Sequence, residues 1–148
     1  MSAAPRSLTL FVMLALGACA THPSTPDSLA TAAASTDWSA AQTVTVKMTD
    51  FAYSPKQVTL PSAVPVRLIL VNNGTDLHDF SSPGFFAAAS YRSGGTMPKG
   101  GKAAVAKDQS AEIDLVPGAP GQFPLECTEF LHTLFGMTGT ITVTPPKH

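Results

Sequence analysis

Residues 126–143, "ECTEFLHTLFGMTGTITV", set a cysteine, a histidine and a methionine at Cys127, His132 and Met137, with four residues between each successive pair. The stretch ends in "GTITV", where Ile141 and Val143 alternate with threonines, the period-two pattern of a half-buried strand. Just upstream, "GQFPLEC" puts Phe123, Leu125 and Cys127 on one face and Gln122, Pro124 and Glu126 on the other. Cys127 is therefore expected to point inward at a strand end. A loop then carries His132 and Met137 before the chain re-enters the sheet at Thr138, so three donor side chains hang from one hairpin.

The same alternation recurs upstream. "TVTVKM" places Val44, Val46 and Met48 on one face, and "QVTL", "PVRLILVN", "KAAVA" and "SAEIDLV" follow, each short and bounded by Pro, Asn or Gly. Seven or eight such strands predict an all-β fold, a β-sandwich or small barrel with antiparallel, Greek-key-type connections. The exception is "GFFAAASYRSGG", Gly84 to Gly95, expected as a short helix or flap over one end.

Compartment decides what a lone thiol can mean. The chain opens "MSAAPRSLTLFVMLALGACA": one cation at Arg6, an apolar run from Leu8 to Leu16 too short to span a bilayer, then small residues leading to Cys19. This is the layout of a signal peptide, residues 1–18. Leu16, Gly17, Ala18 and Cys19 resemble a bacterial lipobox, in which the cysteine is lipidated, becomes the new N-terminus and anchors the protein to a membrane. Ala20 at the next position leans towards the outer membrane. Residues 19–42, rich in Ala, Ser, Thr and Pro, read as a flexible tether spanning on the order of 25 Å. Residues 43–146 remain for one small domain. With Cys19 lipidated, Cys127 has no intramolecular disulfide partner in a compartment where disulfides form. An unpaired thiol there oxidises unless it is buried or occupied.

Charge excludes one class of partner. Nine Lys and Arg stand against ten Asp and Glu in 148 residues, and cleavage before Cys19 removes Arg6. That balance leaves no basic footprint for nucleic acid.

The donor chemistry points to copper. A thiolate and a thioether are soft, imidazole is borderline, and a trigonal set of two histidines and one cysteine with a weak axial methionine suits copper in both oxidation states. The hairpin supplies one histidine. Of the four in the chain, His22 lies in the tether and His148 at the C-terminus, leaving His78 in "NNGTDLHDF", after the apolar strand Val66 to Val71. The metal ligands expected are His78, Cys127, His132 and Met137. Met97, in the Gly-rich "GGTMPKGG", is the competing thioether, with no histidine or cysteine near it.

This constellation resembles the blue-copper cupredoxins, and the four-and-four spacing is similar to that of rusticyanin and auracyanin among them. The resemblance covers Thr43 to Val143. It implies a Greek-key β-sandwich of about eight strands with one type 1 copper near one end. It departs at Phe130 and Leu131, where many relatives carry Pro-Gly, and at Asp79, where many carry Asn or Ser.

Neighbouring residues suggest how such a site would work. Asp79 and Thr128, adjacent to His78 and Cys127, are expected to brace the ligands. Phe130, Leu131, Leu134 and Phe135 bracket His132; about half should fill the end of the core, and the rest should form an apolar patch for a redox partner. The function expected is a one-electron carrier in the periplasm, monomeric, tied to a membrane and serving a redox protein such as a cytochrome or copper oxidase. The alternative is copper handling by a chaperone, store or assembly factor, tasks that recruit open Met- or His-rich surfaces. An enzyme is not expected, because a second copper would need another set of histidines. A binuclear site would need two cysteines in the loop.

Overall fold

The period-two runs form strands where the pattern placed them. The computed structural model describes residues 29–146; the signal segment, Cys19, the first part of the expected tether, His22 and His148 lie outside the described residues. The strands are β1 (Ala30–Thr31), β2 (Gln42–Thr49), β3 (Ala52–Ser54), β4 (Gln57–Pro61), β5 (Val66–Asn72), β6 (His78–Ser81), β7 (Ser90–Tyr91), β8 (Lys102–Val105), β9 (Ser110–Val116), β10 (Gly121–Glu126) and β11 (Thr138–Thr144). One short helix, α1 (Pro83–Ala88), overlaps the first part of the stretch expected as a helix or flap and buries Phe85 and Phe86; Ser90 and Tyr91 of the same stretch form β7 instead. No helix among the described residues is long and apolar enough to cross a membrane.

The strands stack as two sheets, β1-β7-β9-β5-β2-β3 and β4-β11-β10-β6-β8. The longer strands turn one face inward: Val46 and Met48 of β2, Leu68 and Leu70 of β5, Ile113 and Leu115 of β9, Leu125 of β10 and Ile141 of β11 are almost completely buried. Each such side chain contributes about 1.5–3 kcal/mol relative to exposure. The chain changes sheet at every connection from β3 to β10. Strands that meet after such crossovers can run the same way, so β2–β5 and β4–β11 are parallel, where sequence patterning led us to expect antiparallel pairing throughout.

Folded structure also begins earlier than the expected boundary at Thr43. Ala30 and Thr31 pair in parallel with Ser90 and Tyr91, Leu29 packs against the core, and Arg92 lies over the Trp38 ring at 5.8 Å. The pairing comes from the backbone edge that β7 offers, not from apolar character in the segment itself.

The topology gathers the donors at one end. β5 runs towards Asn72, which pairs with Met48 near the end of β2; β6 starts at His78, and β10 ends beside Cys127. Tyr53 of β3 ties the layers together there, its hydroxyl donating to the Asp79 carbonyl at 2.5 Å. β1 lies at the other end, beside Ser90, which pairs with Val116 at the far terminus of β9.

Candidate metal centre

Two strand ends and one loop bring the donors together. Alternation along β10 delivers Cys127 inward, completely buried, and no disulfide engages it. His78, the first residue of β6, is also completely buried. His132 is held by a tight loop: its N–H donates to the Glu129 carbonyl at 3.1 Å, and its carbonyl accepts from the Met137 N–H at 3.0 Å. The loop closes where the Cys127 N–H donates to the Met137 carbonyl at 3.1 Å and the Thr133 hydroxyl donates to the Cys127 carbonyl at 2.5 Å.

The ligand atoms of His78, Cys127 and His132 all lie within 4.8 Å of one another. The two Nδ1 atoms are 3.1 Å apart, and Cys127 Sγ is 3.4 Å from His132 Nδ1 and 4.0 Å from His78 Nδ1. Two imidazole nitrogens so close, both beside one thiol, can share at most a single proton. A soft metal ion resolves that crowding, and a donor set of two imidazoles and one thiolate fits copper. Burial pushes the Cys127 thiol above its ordinary range, against the opposing backbone N–H groups of Asp79 and Glu129, so a metal entering the site displaces a proton. Met137 is completely buried immediately after the loop. Met97 is 40% exposed and lines a shallow surface cavity with Pro98 and Lys99.

Asp79 and Thr128 form one cluster against the cysteine. The Asp79 N–H points to Cys127 Sγ at 3.4 Å. The Asp79 carboxylate accepts from the Thr128 N–H at 2.9 Å and its hydroxyl at 2.6 Å, and Lys102 Nζ reaches it at 3.3 Å. Its negative charge is thus balanced locally by a lysine that sequence reading had not singled out.

The loop aromatics do not fill the core. Phe130 is 86% exposed, Leu134 77%, Phe135 58% and Leu131 42%, so all four, instead of the expected half, are exposed on the loop that carries half-buried His132. Phe51, also exposed, extends this apolar rim: its ring lies 4.9 Å from that of Phe135 and meets the His132 ring edge-on at 5.4 Å. Asp50 was also missed: its Oδ1 accepts from His78 Nε2 at 3.2 Å. Hydrogen bonds from the Thr75 backbone N–H and hydroxyl, and then from His78, hold the Asp50 carboxyl below its usual range. A carboxylate on a turn carries no signal in the sequence, because the histidine it meets is 28 positions away.

Comparison with known proteins agrees with this geometry. The family described as Cupredoxin-like domain matches residues 8–143. Among solved structures, auracyanin B is 26% identical with a TM-score of 0.55, covering 71% of this chain and 90% of its own. A dithionite-reduced auracyanin from the photosynthetic bacterium Roseiflexus castenholzii is 21% identical with a TM-score of 0.55, covering 72% of this chain and 99% of its own, a likeness of fold. No curated protein sequence matches.

Proposed function

The chain belongs to the cupredoxin-like domain family, and on that premise we propose that it is a one-electron carrier of the periplasm. One type 1 copper is its cofactor. His78, Cys127, His132 and Met137 would hold the ion. Copper so held supplies a Cu(I)/Cu(II) couple.

The observation that carries this reading is the pairing of a sealed donor set with one outward-facing ligand. His78 and Cys127 are completely buried, whereas His132 is only half-buried and lies inside the apolar rim. The fixed loop and strand ends hold the donors in one arrangement, which keeps reorganisation small. Phe130, Leu131, Leu134 and Phe135 exclude water and offer a surface on which a cytochrome or copper oxidase docks over the His132 edge. The lipid on Cys19 would keep the domain at a membrane.

Titration with Cu(II) tests the reading. The expected result is an intense thiolate-to-copper absorption band with narrow EPR hyperfine splitting, both lost in Cys127→Ser, together with reversible voltammetry and retention of copper against a chelator. A weak, ordinary Cu(II) spectrum, or ready release of the ion, would sink the carrier and assign copper handling instead.

A further inference from the structure

The turn between β2 and β3 touches both histidines. Asp50 and Phe51 are consecutive, yet Asp50 reaches His78 while Phe51 packs on His132. Phe51 sits at φ 64°, a left-handed conformation unfavourable for a bulky residue, so the turn holds this divergence against backbone preference. A second loop fixes the carboxylate: the Thr75 N–H and hydroxyl each donate to it at 2.9 Å. Gly74 roofs the contact, since a Cβ there would collide with both His78 Nε2 and Asp50 Oδ1. Unlike Asp79, Asp50 forms no ion pair with a lysine or arginine among the described residues.

An imidazole whose Nε2–H donates a hydrogen bond to a carboxylate is locked in the tautomer that leaves the Nδ1 lone pair for a metal, and the anion strengthens that lone pair. A stronger donor beside an uncompensated negative charge favours Cu(II) over Cu(I). We infer that Asp50 is a positioning residue of the copper site: it holds His78 with Nδ1 free for the metal and sets the reduction potential below the value a neutral acceptor would give. The potential rests on the carrier reading above; the tautomer does not.

Wild type, Asp50→Asn and Asp50→Ala separate orientation from charge, because the asparagine carbonyl can still accept from Nε2 but carries no charge. In the metal-free proteins, long-range 15N NMR of the His78 ring should show a single Nε2–H tautomer in wild type and Asp50→Asn, and a mixture in Asp50→Ala. In the copper-loaded proteins, Asp50→Asn should keep the charge-transfer band and raise the midpoint potential. A tenfold loss of preference for Cu(II) over Cu(I), at the low end of effects of such hydrogen-bonding partners, corresponds to about 59 mV for a one-electron couple. A single tautomer persisting in Asp50→Ala, or an unchanged potential in Asp50→Asn, would overturn the inference. If wild type shows no blue band, the carrier reading fails, and the NMR comparison still decides whether Asp50 positions His78.

Discussion

Leu131 occupies a backbone conformation that glycine adopts without cost, at φ 64°. Many cupredoxins carry Pro-Gly before the loop histidine, and here a leucine takes the left-handed conformation at the second of these positions. The Leu131 carbonyl serves the loop, accepting from the Phe135 N–H at 3.0 Å, and its side chain is exposed with the other apolar residues of the loop. Leu131→Gly should therefore stabilise the protein by about 1 kcal/mol, the order of the left-handed penalty. Chemical denaturation of the metal-free protein measures it; a loss of stability would show that packing of the leucine outweighs the strain. At this scale the donors were legible because cysteine and histidine are scarce in the chain and their spacing is informative. Asp50, Phe51 and Lys102 were not, because a turn acid, a turn aromatic and a strand lysine acquire meaning only from contacts made across the fold.

At the scale of elements, the long alternating strands were readable and the short ones were not. β6 is buried at all four positions, so it has no alternation to detect, and β1, β3 and β7 are only two or three residues long. Crossovers between sheets, which produce the parallel pairs, leave no local trace either. One interaction spans neighbouring strands: Asp114 of β9 accepts from Arg67 Nε of β5 at 3.0 Å and from Arg92 Nη1, just after β7, at 3.0 Å. Burial pushes the Asp114 carboxyl up, but the hydrogen bonds and charges of the two arginines outweigh it and hold the group below its ordinary range. A carboxylate depressed in the folded state adds stability that is fully present above its unfolded pKa, about 3.9, and is lost as pH falls through the lower folded value. Asp114→Asn should thus cost about 1–3 kcal/mol at pH 7, with the gap to wild type narrowing below about pH 4. Parallel denaturation series at the two pH values check this, and a gap independent of pH would exclude an electrostatic origin.

The whole molecule has two unlike ends, one bearing the donors and the apolar rim, the other bearing β1. The expected tether is shorter than the sequence implied, since pairing with β7 already starts at Ala30. Its composition concealed this, because an edge strand of Ala and Thr needs only a backbone partner. If Cys19 is lipidated, Cys19→Ser should move the protein from the membrane fraction to the soluble one after cell fractionation; unchanged membrane association would remove the lipid anchor from the proposal. Between Cys19 and the first paired residue lie residues 20–29, which span at most about 35 Å when fully extended. If Cys19 moors the domain so closely by the end remote from His132, the domain would stand off the bilayer with the His132 face turned to the aqueous space. A mobile carrier, or the protruding head of a membrane complex, would then meet that face directly, whereas a redox centre flush with the lipid surface would be reached only if the domain toppled on its mooring.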